Sequence, residues 1–528
     1  MPSTYAVWGW GRSAADQPSA RDLAGLAPLA AELLNIPIGS PITPAPLRPL
    51  PADRVSGRLP DSLAAVASTT DADRARHGVG RSYRDVVRAI DGVVGYVPDV
   101  VVRPTSEDQI AALLDWCAAN EVALVPFGGG TSVVGGVEPD VGERWSGVVS
   151  LDLERLSGVV EVDATSRAAR VRAGTAGPAL EDELRPHSLT ARFYPQSFER
   201  STVGGWIATR AAGHFSVGPT HVDDLVESVR AITPAGPWES RRLPGSGAGP
   251  SPDRMLLGSE GALGVITETW LRVQPRPTKR WSATYAATDF AAGLAAVQAI
   301  VQSGLRPAAC RLIDAGEAAV TGTLSTGEAP LVLGLESWHG PVDADASVVA
   351  ELCADHGLRL VEGGAQRTDG GSSESWRSSF LRAPYLREQF VLLGLVVETF
   401  ETATTWDRLP GLVDAVIRRT SEALRQICGG GTVTCRLTHV YPDGAAPYFT
   451  VIAPGRRGSE LAQWDEVKAA ASEAILAAGG TITHHHAVGR DHRPWYDAQR
   501  PDAFAQALRG AKRAVDPAGI LNPGVLVD

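Results

Sequence analysis

Pro126-Phe127-Gly128-Gly129-Gly130-Thr131-Ser132 follows directly on the apolar run Val122-Ala123-Leu124-Val125. Four residues of this type before a proline and a phenylalanine read as a short buried strand. Three consecutive glycines then let the chain take positive φ, so successive backbone N–H groups can turn inward on a diphosphate, with the Thr131 and Ser132 hydroxyls as further donors. This is an anion nest. It is not a G-x-G-x-x-G turn, because Val133 stands where a third glycine would be needed, and no lysine follows to complete a Walker loop. The competing reading is a plain flexible turn between strands.

Outward from the nest, the texture is that of a βαβ opening. Val100-Val101-Val102 is a short strand, and Ser106-Glu107-Asp108 caps a helix through Cys117 that returns to Val122. Further β-rich segments lie at Val148–Leu151, Val159–Val162 and Ala168–Ala173, and Pro178 suits the first turn of a helix. Pro275-Arg276-Pro277 reads as a linker, after which strands and longer helices alternate: a helix over Phe290–Ser303, another over Trp406–Cys428 and a hairpin over Thr434–Ala453. The fold class is α+β. The division expected is an irregular and helical N-terminal region over 1–98 packed on the outside, a two-part α+β domain over 99–278, a second α+β domain over 279–495, and a C-terminal helix and tail over 496–528 that returns to the first domain.

The whole chain, 528 residues with 44% hydrophobic and 21% charged, can bury a large core, which excludes a disordered chain or a mini-protein. Its net charge of −11 disfavours a nucleic-acid partner. Apolar runs such as Phe390–Val397 are too short to span a bilayer, so no transmembrane segment is expected, and no basic and apolar leader opens the sequence. Five scattered cysteines, Cys117, Cys310, Cys353, Cys428 and Cys435, argue against a disulfide framework or a structural zinc. A cytoplasmic protein fits. Only three lysines stand against a high content of Ala, Gly and Pro, which points to a bacterial source with a GC-rich genome.

Two other segments have the character of a binding surface. Pro195-Gln196-Ser197-Phe198-Glu199-Arg200-Ser201-Thr202 places hydroxyls ahead of a helix carrying small residues at Gly205, Ala208 and Ala212, and this continues through Thr209-Arg210-Ala211. The missing side chains admit a flat ligand to the backbone, although close helix packing uses the same pattern. Gly258-Ser259-Glu260-Gly261-Ala262-Leu263-Gly264-Val265-Ile266 is a glycine turn entering a strand.

Together and in this order, these elements resemble the FAD-binding domain of the vanillyl-alcohol oxidase / p-cresol methylhydroxylase superfamily (PCMH type). The ending Ile520-Leu521-Asn522-Pro523-Gly524 is similar to that superfamily's usual tail. The resemblance implies FAD held by Pro126–Ser132, Gln196–Thr202, Thr209–Ala212 and Glu260–Ile266. Because Thr131 rather than a histidine follows the glycines, the binding is expected to be non-covalent. A narrower resemblance, to the alkyldihydroxyacetonephosphate synthase (alkylglycerone-phosphate synthase) family, rests on Thr483-His484-His485-His486-Ala487-Val488-Gly489-Arg490, Trp8-Gly9-Trp10-Gly11, Val397–Ala403, Trp406-Asp407-Arg408 and Cys435–Tyr441.

On residue chemistry alone, the three histidines follow Gly479-Gly480 in an extended segment, where His484 and His486 would share one face and His485 the other. They could chelate a metal, but the flanking sequence supplies no carboxylate or cysteine and no i, i+4 spacing, so no metal is expected; a surface histidine run is the simpler alternative. Period-two alternation puts Tyr448, Thr450 and Ile452 on one face of the hairpin, where strand packing is the ordinary role of a tyrosine. The family resemblance instead implies that Tyr448 is the catalytic acid/base, which requires cationic neighbours to lower its pKa from about 10. It implies that Arg387 binds substrate through its planar fork, that Arg311 lies beside the flavin, and that His484, His485 and His486 contact substrate or flavin. The default for each arginine is a solvated surface position.

The activity so implied exchanges the acyl chain of acyl-dihydroxyacetone phosphate for a fatty alcohol, forming an ether bond through an adduct at flavin N5. The alternative on the same scaffold is an FAD-linked oxidase or dehydrogenase of a hydroxy acid or alcohol. Either implies a small-molecule substrate, and a homodimer and peripheral membrane contact are compatible with both. Two departures bear on the choice: no peroxisomal signal is visible, and Val525-Leu526 follows Gly524 where the eukaryotic synthases carry a polar run.

Overall fold

The computed structural model describes residues 7–11, 17–321, 323–324, 327–367 and 371–528, with side chains outside 320 and 364–380. Val100–Val102 and Val122–Phe127 both run parallel to Gly147–Asp152, and the pair Ala67–Ser68 extends the sheet antiparallel on the Val100–Val102 edge. These are the apolar runs without alternation, and they are buried on both faces, as parallel strands under helices require. The connecting helix Glu107–Ala119 starts where Ser106 Oγ accepts from Gln109 N at 3.3 Å.

A second, antiparallel sheet has the order Val159–Asp163, Ala168–Arg172, Val265–Arg272, Val226–Thr233, Gly236–Glu239. Its core and that of the parallel sheet are one cluster, which also takes in Ile520, Leu521 and Val525 from the tail. Leu521 forms a parallel bridge with Leu124: Leu124 N donates to Ile520 O and Asn522 N donates to Leu124 O, both at 2.8 Å. The tail therefore completes the free edge of the strand that leads into the glycines.

Beyond Pro277 lie two antiparallel four-stranded sheets, Ala309–Leu312, Ala329–Ser337, Lys279–Ala287, Arg359–Arg367 and Leu395–Glu401, Gly444–Pro454, Thr432–Tyr441, Thr404–Thr405. An Ile313 to Arg436 bridge joins them, and helices such as Leu409–Ile427 and Glu460–Ala477 cover them. The mixed architecture is α+β.

The N-terminal stretch departs from the outer placement read from its composition. Ser82 and Asp85 form a reciprocal capping box that starts the helix Tyr83–Ile90, whose Tyr83, Val86 and Ile90 are buried in the core of the later sheets. Tyr83 Oη donates to Leu395 O at 3.1 Å. That core also encloses an ion pair, Lys468 Nζ to Glu398 Oε1 at 3.0 Å, and Trp464 Nε1 donates to the same carboxylate. Lys468→Met leaves that buried carboxylate without its cation, and urea denaturation is expected to show a loss of about 3–5 kcal/mol; the double change Lys468→Met with Glu398→Leu should recover most of it.

Candidate functional site

The three glycines meet the loop that precedes the helix Val203–Thr209. A Cβ on Gly128 would stand 2.4 Å from Thr202 Oγ1, and one on Gly129 would stand 2.1 Å from the Arg200 carbonyl oxygen. Gly130 has φ +63°, the left-handed region that only glycine takes without strain. The nest is thus pressed against backbone on one side and open to a cavity on the other. Gly128, Gly129, Gly130, Thr131 and Ser132 line that cavity together with Gln196, Ser197, Ser201, Thr202, Thr209, Ala211 and Ala212. Gly205 lines it too, with only Thr202 Oγ1 within reach of a Cβ, at 3.4 Å. An adjoining inner cavity adds Pro126, Phe127, Glu260, Gly261, Gly264 and Ile266. Small residues and hydroxyls along these adjoining cavities suit a long, flat dinucleotide bearing a diphosphate.

Other residues of the same segments sit elsewhere. Phe198 packs on Tyr194 with ring centroids 4.7 Å apart, Glu199 is exposed and accepts from Tyr385 Oη at 2.7 Å, and Arg200 donates to Gly9 O at 3.1 Å. Arg210 turns outward as the left-handed C-cap and pairs with Asp223. Ala262 and Val265 are core residues, and Leu263 faces a separate cavity. A turn or strand exposes only part of its residues to one ligand, and contiguous sequence segments do not divide by face.

At its outer end the channel meets the histidine segment. No strand forms there. The Glu401 carboxylate, 1% exposed, accepts from the backbone N–H groups of His484, His485 (3.0 Å) and His486 (2.8 Å) and from Thr483 Oγ1 at 2.8 Å. Wrapped on one carboxylate, the backbone cannot alternate, and the expected pairing of His484 with His486 is replaced: His485 and His486 line the glycine-nest cavity and His484 does not. Glu260 holds the next turn, accepting from Val488 N at 2.9 Å and Gly489 N at 2.8 Å.

Burial raises the Glu260 carboxyl to about 7, against the pull of those two amides. Glu401 is buried as well, which works against its charge, but the surrounding histidines and backbone donors hold it well below the usual carboxylate range. Burial pushes His484 down to about 4, His485 well below the ordinary histidine value, and His486 down in the same direction, so near neutral pH the rings are uncharged. Glu401 is the carboxylate that the flanking sequence lacks. Among the described residues, Glu401, His485 and His486, and likewise His439, His484 and His485, bring one ligand atom each within 4.8 Å of the others.

Next to His486 the channel opens into an apolar cavity lined by Arg387, Tyr448, Leu386, Phe390, Val397 and Ile452. Alternation along Gly444–Pro454 does put Tyr448, Thr450 and Ile452 on this one side. Arg436 lies over the Tyr448 ring with its guanidinium carbon 4.0 Å from the centroid, and is itself paired with Glu317. Burial nonetheless raises the Tyr448 phenol above its ordinary value, outweighing the lowering by Arg436 and by a hydrogen bond with Thr399. The lowered phenol expected from sequence is therefore not what the structure holds: Tyr448 stays protonated. Arg387, in the helix Gly371–Leu392, donates to Arg81 O at 2.6 Å, while its Nε has no hydrogen-bond partner among the described residues. Arg311 lines neither cavity; it is buried, donates to the His214 carbonyl, and burial lowers it to about 9. Trp10, from the Trp-Gly-Trp-Gly stretch, lines both cavities, and with Glu401 and Arg436 it is what residue chemistry alone did not single out.

Comparison with known proteins agrees with this geometry. Residues 98–240 match the FAD binding domain model and residues 276–526 match the model for the C-terminal domain of FAD linked oxidases. The chain belongs to the FAD-linked oxidase family. It is an enzyme, and its cofactor is FAD. Alkyldihydroxyacetonephosphate synthases are among the homologues of this family member. That of Dictyostelium discoideum is 28% identical over 480 residues, 86% of this chain and 77% of that protein. That of Caenorhabditis elegans is 29% identical over 493 residues, 86% and 80%. A solved structure of an alkyldihydroxyacetonephosphate synthase superposes with a TM-score of 0.75 at 25% identity, covering 95% of this chain and 92% of that one. Among the described residues, no helix is long and apolar enough to cross a membrane.

Gly129→Val drives a branched side chain into the Arg200 carbonyl and displaces the nest; the purified protein is expected to lack the flavin band near about 450 nm while keeping its far-ultraviolet circular dichroism. Acid stability is a second test. Burial lowers His484 to about 4 and His492 to about 3 in the fold, whereas both return to about 6.5 on unfolding. The unfolded chain therefore takes up protons first, and stability should fall from pH about 6.5 towards 4. Below the ordinary glutamate value of 4.5 the contribution of Glu401 is lost as well. Urea midpoints measured against pH should show a shallower decline in His492→Gln.

Proposed function

We propose that this enzyme exchanges the acyl chain of an acyl-dihydroxyacetone phosphate for a fatty alcohol, leaving an ether bond and releasing a fatty acid. The observation that carries this reading is the run of one channel from the glycine nest, past His485 and His486, into an apolar cavity with Tyr448 and Arg387 on its wall. The homology to alkyldihydroxyacetonephosphate synthases supports it. Gly128–Ser132 and Thr202 would hold the FAD diphosphate without a covalent link. When bound, FAD supplies the reactive ring that divides one difficult exchange into two easier steps.

The chain's own residues have separable tasks. Arg387, whose Nε has no hydrogen-bond partner among the described residues, faces the phosphate, an anion its planar fork matches. Leu386, Phe390, Val397 and Ile452 accommodate the alkyl chain and exclude water. Tyr448, kept protonated by burial, donates a proton to the departing carboxylate and accepts one from the incoming alcohol. Neutral His485 and His486 complete the wall as hydrogen-bonding groups that do not compete with Arg387 for the phosphate. Arg311 acts at one remove as a positioning residue, through His214.

A second reading, oxidation of a hydroxy acid, draws support from the FAD linked oxidase match and from the equal fit of an arginine fork to a carboxylate. Incubation of the purified holoenzyme with palmitoyl-dihydroxyacetone phosphate and labelled hexadecanol distinguishes the two: labelled ether is expected, whereas no ether together with flavin bleaching by a 2-hydroxy acid would replace the first reading by the second. Tyr448→Phe should retain bound flavin and lose turnover by roughly 10²-fold or more; near-normal turnover removes Tyr448 from the mechanism.

A further inference from the structure

The exchange converts an ester and an alcohol into an ether and a carboxylic acid, and at neutral pH that acid is a carboxylate. The acid that Tyr448 has protonated departs as a carboxylate, so one proton has to leave per turnover, while an alkyl chain in the apolar cavity keeps water out of it. The inference that follows rests on the proposed function only in this need for proton exchange, which oxidation of a hydroxy acid shares.

A hydrogen-bonded path leads away from the site on the side opposite the substrate cavity. His485, on the wall of the cofactor cavity, has its Nδ1 3.0 Å from Nδ1 of His484. His484 Nε2 lies 2.7 Å from Tyr441 Oη, which in turn is 3.4 Å from Thr220 Oγ1. His484 and Tyr441 line a further cavity, together with His221, Gln499, Arg210 and Arg254, and the side chains of the two arginines at its edge are 54% and 56% exposed to solvent. No backbone amide or aliphatic group interrupts the sequence of ring nitrogens and hydroxyl.

We propose that His485, His484 and Tyr441 form a proton wire between the cofactor cavity and this second, solvent-edged cavity. Burial keeps the imidazoles neutral, so each has one N–H and one lone pair, and a phenol likewise both donates and accepts. A proton reaching the His485 ring from the reacting groups releases the His485 Nδ1 proton to His484 Nδ1. His484 then gives its Nε2 proton to Tyr441 Oη, and Tyr441 releases its own to water in the second cavity. Each hop breaks one N–H or O–H bond and makes another, and one proton enters for each that leaves. Held by three bonds to Glu401, the backbone of the histidine loop fixes the spacing that such transfer needs.

Tyr441→Phe removes only the terminal hydroxyl. In the holoenzyme, turnover is expected to fall about 10-fold or more, with the flavin absorbance and melting temperature of the wild type. Added imidazole, reaching His484 through the second cavity, should restore it in a concentration-dependent way. In the flavin-free protein labelled with ¹⁵N-histidine, Tyr441→Phe should shift the ring nitrogens of His484 and leave those of His486 in place. Wild-type turnover in Tyr441→Phe, a loss that imidazole does not relieve, or an unmoved His484 spectrum each overturns the wire. If the wild type itself forms no ether, the exchange reading fails instead, and the histidine spectrum, which needs no turnover, still decides the path.

Discussion

The site depends on two buried carboxylates that share one loop. Residues 483–489 form neither helix nor strand, yet they lie between both halves of the molecule, where unsatisfied amides would each cost about 1–3 kcal/mol. Glu401, from the second part of the chain, takes the N–H groups of His484, His485 and His486, and Glu260, from the first, takes those of Val488 and Gly489. The loop is in effect a clasp across the interface. Its histidines can stand in a fixed relation to the cofactor cavity because their backbone bonds to charged acceptors and not to water.

The same arrangement explains the electrical character of the site. Burial keeps the imidazole rings neutral, so among the described residues the positive charges that line the apolar cavity are the guanidinium groups of Arg387 and Arg436. Arg436 is already paired with Glu317 and lies on the Tyr448 ring, whereas Arg387 Nε has no hydrogen-bond partner among the described residues. An anionic substrate group therefore meets one defined partner. Glu317 also lines this cavity, where Arg436 offsets its charge.

Legibility from sequence followed locality. The strand before the glycines, the nest itself and the face shared by Tyr448 and Ile452 were readable because each depends on neighbours within a few positions. The capping box of Ser82 and Asp85 was equally local, yet the surrounding composition masked it and the helix was placed on the outside. Glu401 could not be found that way: it stands 83 positions before His484, and its role exists only once the strand Leu395–Glu401 is paired with Tyr448. The histidine faces were misassigned for the same reason, since period-two alternation holds only in a strand. Arg311 was drawn to the flavin by resemblance alone, while the fold spends it on His214.

The bridge between Leu124 and Leu521 ties the strand that feeds the nest to a stretch near the far end of the chain, and Asn522 adds bonds to Gly136 and Glu260 at 3.1 and 2.7 Å. A polypeptide emerging from the ribosome in order therefore leaves the glycine-lined pocket with one border missing until Leu521, 397 positions after Leu124, has been made. A nascent fragment that holds every glycine of the nest but lacks Leu521 and Asn522 is still an unfinished receptacle.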